Sequence, residues 1–99
     1  MKRLTILTLL LLPTLLISQI NIKGRIIDHS QSIAWANVVL TRLNGDIVTG
    51  GISDDDGNFN LQTDSGIYNL TISFMGYSNF VKEIKLTENL DLGTIVLKA

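Results

Sequence analysis

The sequence predicts an all-β domain, an antiparallel β-sandwich of seven short strands, from three observations. Apolar and polar residues alternate with a period of two over most of the chain. Turn residues recur at intervals of roughly 8–12 positions. Beyond residue 18, no segment has the apolar repeat of an amphipathic helix.

The first residues stand apart from the rest. Met1-Lys2-Arg3 is basic, Leu4 to Ile17 is almost wholly apolar, and Ser18 is a small residue at a cleavage position. That is the three-part layout of a secretory signal peptide. The apolar run is shorter than the ~20 residues a spanning helix needs, so a removable leader is the expectation rather than an anchor. The expected division is therefore a signal peptide over 1–18 and one folded domain over 19–99. Without Lys2 and Arg3 the domain is more acidic than the whole chain, whose formal charge is −1. With no basic cluster, nucleic acid and anionic lipid are poor partners. The chain has no cysteine, so an exported domain would hold together by its apolar core, without disulfides or a thioether-linked lipid.

Each strand follows from alternation and punctuation. Ile20, Ile22, Gly24 and Ile26 alternate with Asn21, Lys23 and Arg25 in a first strand that closes near Asp28. The second runs from Trp35 to Arg42, with Ala36, Val38 and Leu40 inward. Asn44-Gly45-Asp46 then signals a hairpin. A third strand covers Ile47 to Ser53, where Gly50-Gly51 predicts a bulge or a close backbone approach. Asp56-Gly57 is a second hairpin signal, leading to a fourth strand with Phe59 and Leu61 inward and Asn58, Asn60 and Gln62 outward. After Asp64-Ser65-Gly66, the fifth places Tyr68, Leu70, Ile72 and Phe74 on one face. Gly76-Tyr77-Ser78 turns into a sixth, Asn79 to Leu86, in which Lys82 interrupts the apolar face and marks an edge. The last, Leu92 to Leu97, does not alternate and has no assignable face. Gly57, Gly66 and Gly76 are the expected structural turn positions.

The chemistry that these residues support is limited. Aligned on Gly57, a calcium loop through Asp54-Asp55-Asp56 would begin at Ile52 and end at Thr63, neither of which is a suitable ligand there. A solvated turn is the better reading. His29 is the only histidine, so zinc ligation and a Ser-His-Asp triad would both have to pass through one residue in a polar turn. Glu83 and Glu88 are the only glutamates and lie in no recognisable context for glycosidic chemistry. The expectation is a domain that is not an enzyme and uses no metal or cofactor. Among the aromatics, Tyr68 and Phe74 share a core face. Trp35 has the opposite parity to Ala36 and Val38, and Tyr77 follows a turn glycine, so these two are the expected ligand or partner contacts.

Motifs spread along residues 19–99 resemble those of the carboxypeptidase-regulatory-like domain. Gly24-Arg25-Ile26-Ile27-Asp28 is similar to that family's opening strand, and Ile33-Ala34-Trp35-Ala36-Asn37-Val38 to its next element. Asp54-Asp55-Asp56-Gly57-Asn58-Phe59 resembles its turn, and Gly66 to Tyr77 its long strand. The sequence departs from the family where Ile33-Ala34 lacks a proline and where Ser53 replaces threonine. The resemblance implies a seven-stranded Greek-key, transthyretin-like sandwich. It also implies a setting: the periplasmic extension of a Bacteroidota TonB-dependent, SusC-like outer-membrane receptor, or a free-standing relative. The implied partner is a barrel or TonB-system protein, with a carbohydrate-binding-like module of a glycan uptake system as the alternative.

Overall fold

The structure is a computed structural model describing residues 19–29 and 31–99, so the predicted leader lies outside the described residues. Eight strands follow in order: β1 (Ile20–Asp28), β2 (Gln31–Ser32), β3 (Asn37–Arg42), β4 (Ile47–Ile52), β5 (Asn58–Thr63), β6 (Gly66–Ser73), β7 (Phe80–Leu86) and β8 (Leu90–Val96). They form two four-stranded sheets. In the first, β1 is central. It pairs antiparallel with β5 from Ile20↔Thr63 to Arg25↔Asn58, and with the short β2 at Ile27 and Asp28. On its other edge β1 pairs with β8. The second sheet runs β4-β3-β6-β7, antiparallel throughout.

The all-β sandwich is as expected, with two differences in detail. The polar stretch after Asp28 contributes the extra strand β2, and β8 runs parallel to β1. Parallel pairing needs a connection that crosses over, and β8 reaches β1 from β7 in the opposite sheet.

The inward faces are those the alternation marks. Ile22, Ile26, Ala36, Val38, Leu40, Leu70 and Ile72 are completely buried. Each large apolar side chain among them contributes about 1.5–3 kcal/mol of transfer free energy. Phe59 and Leu61 of β5 and Tyr68 of β6 complete the layer between the sheets. Phe74 departs from expectation: it lies past the end of β6 and is only half-buried, because the chain has already begun to turn. Lys82 pairs opposite inward-facing Leu70 yet stays exposed, as its place in edge strand β7 allows.

Two irregularities explain what alternation left open. Between Lys23↔Asp91 and Arg25↔Thr94, β8 uses one residue more than β1, with Gly93 at φ 69°. This bulge inverts the parity of everything after it, so Ile95 and Leu97 are buried while Val96 is 48% exposed. In β4 the irregularity falls opposite Leu40 and Thr41, between Thr49 and Ile47, and not at Gly50-Gly51. The other expectation, a close backbone approach, holds at Gly50, where a Cβ would sit 3.1 Å from the Val38 carbonyl oxygen of β3. A Cβ on Gly51 would sit 3.3 Å from Leu61 Cδ2 of the facing sheet.

The Asn44-Gly45-Asp46 turn is a hairpin joining β3 to β4, closed by Gly45 N–H donating to the Arg42 carbonyl at 2.9 Å. The Asp56-Gly57 turn is not. It carries the chain from β4 in one sheet to β5 in the other. Both turns have the same local chemistry, which does not specify whether the flanking strands pair with each other or with third strands.

Candidate functional site

The connections β1–β2, β2–β3, β4–β5 and β6–β7 gather at one end of the sandwich, together with the residues following β8. Both residues singled out as contacts, Trp35 and Tyr77, lie at this end.

Trp35 falls just before β3, not within it as the alternation suggests. Its backbone is left-handed, with φ 69°, a conformation rare for a bulky side chain and a marker of functional constraint. The side chain is turned outward and the residue is 66% exposed. Ser53, at the end of β4, holds this conformation. Its carbonyl accepts from Trp35 N–H at 3.0 Å, and its N–H donates to the Ala36 carbonyl at 3.0 Å. Its buried hydroxyl accepts from Ala36 N–H at 2.9 Å and donates to the Ile33 carbonyl at 2.7 Å. Every polar group of Ser53 is therefore used to brace the segment Ile33–Ala36. The indole lines a recess of about 310 Å³ with Ile52, Ser53, Asp54 and Asp55.

The acidic turn beside it is internally satisfied on one side. Asp54 Oδ1 accepts from both Asp56 N–H and Asn58 N–H at 2.9 Å, and the Asp54 carbonyl accepts from Gly57 N–H at 2.9 Å. Gly57, at φ 80°, presses its α-carbon onto β1, where a Cβ would run into the Ile26 carbonyl oxygen. Its own carbonyl accepts from Ile26 N–H at 2.8 Å. Arg25 straps the turn from outside, donating from Nε to the Asp56 carbonyl at 3.0 Å and from Nη2 to Ser32 Oγ at 2.7 Å. Among the described residues no group of three or more His, Asp or Glu side chains is arranged to hold a metal ion.

Tyr77 has a different environment. It is half-buried, its ring centroid lies 5.9 Å from that of Phe74, and its hydroxyl donates to Asp28 Oδ2 at 2.5 Å. The bond ties the β6–β7 connection to the end of β1, and so one sheet to the other. Donating this proton to Asp28 holds the phenol above its ordinary pKa, with desolvation and the negative charge of the carboxylate adding to the rise. His29 is exposed, has φ 54°, and approaches only the other Asp28 oxygen, at 3.5 Å. Tyr77 does not line the Trp35 recess. Gly66 and Gly76, the other two predicted turn glycines, have φ 156° and 90°. A wider depression of about 650 Å³ adjoins the Trp35 recess, sharing Ile52 and Asp54 with it and extending over Lys23, Arg25, Asn58, Asn60 and Asp91. Apart from Ile52 of β4 and Asp54 of the turn, its exposed lining consists of polar side chains of the first sheet, with no exposed aromatic among them.

Sequence reasoning missed Ser53 as the brace and Asp28 as the partner of Tyr77. The first had a faint signal, a small polar residue closing an uncharged strand. The second had none, since the pair is separated by 49 positions.

A family model described as "CarboxypepD_reg-like domain" matches residues 22–99. No curated protein matches the chain. Among solved structures, BcpA, the major pilin subunit of Bacillus cereus, is similar at 20% identity and a TM-score of 0.67, over 82% of this chain and 30% of the pilin. A DUF3823 family protein from Parabacteroides merdae is similar at 16% identity and a TM-score of 0.60, over 83% of this chain and 46% of its own. The 5-hydroxyisourate hydrolase of Klebsiella pneumoniae is similar at 15% identity and a TM-score of 0.62, over 81% of this chain and 92% of the hydrolase. At such identities the likeness is one of fold. The chain spans less than half the length of the pilin and of the P. merdae protein.

Proposed function

Because the chain belongs to the CarboxypepD_reg-like domain family, we propose that it is a non-catalytic interaction domain, exported by cleavage after residue 18. It acts in the periplasm, at the inner side of the outer membrane, as an accessory to a TonB-dependent uptake barrel. The observation that carries this reading is the construction around Trp35. A large aromatic is held outward on a left-handed backbone by a fully satisfied serine, an arrangement suited to contact and lacking a nucleophile–base pair. The shared fold with a hydrolase does not weigh against it, since function resides in sites and not in folds. Affinity capture from an envelope extract with the full chain as bait tests the reading. Recovery of a barrel or TonB-system component is expected, and its consistent absence removes the proposal.

The exposed indole also supports a second reading, a glycan-binding module, because aromatic faces stack on sugars. Titrating oligosaccharides while following the emission of Trp35, the only tryptophan, separates the two. An unchanged spectrum across glycans eliminates this second reading.

A further inference from the structure

β4 and β5 are the adjoining edges of the two sheets on one side of the sandwich, and neither strand carries a charged side chain. Natural edge strands are normally guarded by charge, proline or bulging, and of these β4 has only its one irregularity between Thr49 and Ile47. In β4, Ile47 and Ile52 are 74% and 51% exposed. Among the described residues its outer backbone edge has no hydrogen-bonded partner strand. At the Ile52 end of this edge lies the Trp35 recess, with Asp54 and Asp55 on its rim. Neither carboxylate pairs with a cation among the described residues.

We infer that the β4 edge is a strand-addition site for an extended segment of a partner protein, and that an arginine or lysine of that segment seats on the Trp35 indole beside Asp54 and Asp55. Resting on the interaction-domain reading above, this names the surface and the chemistry of its partner. Backbone pairing along β4 supplies affinity without regard to sequence, over a length of roughly 20 Å for six residues. Selection then comes from the recess, where an aromatic face and two carboxylates with no ion-pair partner among the described residues favour a cation. A second copy of the chain is a poor occupant. Antiparallel pairing of two β4 strands brings Asp46, which precedes Ile47, toward Asp54 and Asp55 of the other copy, placing like charges together. A glycan would engage the indole and leave the strand edge unused.

The test titrates the full chain with two capped peptides, alternating threonine and valine and flanked at both ends by arginine in one and glutamate in the other. Trp35 emission and the backbone amide resonances report binding. The arginine peptide is expected to change the emission, to shift the Ile47–Ile52 amides, and to bind at least about tenfold tighter than the glutamate peptide. That margin should shrink in 1 M salt, where the Debye length is about 3 Å. Trp35→Gly suits the left-handed backbone, so it should retain the fold while weakening the arginine peptide about tenfold by amide shifts. Equal affinity for the two peptides overturns the inference, as do shifts confined to β7 or β8. A concentration-dependent dimer perturbing the same β4 amides also overturns it, as does a glycan response without any β4 shift. An envelope partner that co-purifies but is not displaced by the arginine peptide removes the β4 assignment and leaves the interaction-domain reading standing.

Discussion

On one side of the sandwich, β4 and β5 lie edge by edge, with Gly51 under Leu61 and no charged side chain in either strand. On the other, β7 carries Lys82, Glu83 and Lys85, and β8 carries Asp91 and the Gly93 bulge. Both sides face the same physical problem, unpaired backbone groups that invite another strand. The β7/β8 side meets it with an inward-facing lysine, further charges and a kink. The β4/β5 side instead concentrates its order in the turn that joins the two strands, where Ser53 braces the segment carrying Trp35 and Asp54 accepts from the N–H groups of Asp56, Gly57 and Asn58. One side excludes partners along its length. The other stays open and ends in a rigid aromatic.

Substitutions in the core beneath each side should separate the two. Phe59→Ala in β5 empties a buried site and should cost about 3–5 kcal/mol in urea unfolding. Phe80 of β7 is half-buried, so Phe80→Ala should cost less than half as much. Equal losses would mean that the two edges share the core evenly. Next in size is Gly57→Ala, at about 3 kcal/mol, since a left-handed backbone and a collision with the Ile26 carbonyl act together. Gly93→Ala in the β8 bulge meets open space and should cost only about 1–2 kcal/mol, the penalty of the left-handed residue alone. A reversed order in thermal midpoints would place the tighter turn on the wrong side.

Ser53→Ala leaves the Ala36 N–H without its side-chain acceptor and the Ile33 carbonyl without its hydroxyl donor, for about 1–3 kcal/mol. Loss of Trp35 order should accompany it, seen as a red-shifted emission. An unshifted emission would show that Ser53 does not position the indole. The smallest effect belongs to Tyr77, on the β7 side. Its phenol pKa is raised in the folded state above the ordinary 10.0, so the stabilisation is complete below pH 10 and is lost as pH rises through the folded value. Wild-type stability should therefore fall above pH 10, and Tyr77→Phe should flatten that alkaline limb while lowering the midpoint slightly at neutral pH. An alkaline limb unchanged in Tyr77→Phe would assign the loss to another group.

Much of this fold is legible in the chain because a period-two pattern has one interpretation once a face must be buried. Ile20 through Ile26, Val38 with Leu40, and Phe59 with Leu61 need no knowledge of their neighbours to be placed inward. The candidate site is legible only in part. Parity alone turns Trp35 away from Ala36 and Val38, but nothing local shows that its backbone is left-handed or that Ser53 holds it there. Phe74 shows the limit of the same rule, because alternation continues in the letters after the strand itself has ended.

By itself, then, the sequence determined which residues face inward in most strands, where most turns fall and that Trp35 differs in parity from Ala36 and Val38, since each of these follows from alternation and turn chemistry within a few residues. Only the tertiary structure decided that Asp54–Gly57 crosses between sheets instead of closing a hairpin, that β8 runs parallel to β1 around a bulge, and that Tyr77 reaches Asp28. Those outcomes depend on pairing partners distant along the chain, which local propensity does not encode. The same holds for the open side: β4 lacks charge in the sequence, but only the sheet order makes it an edge.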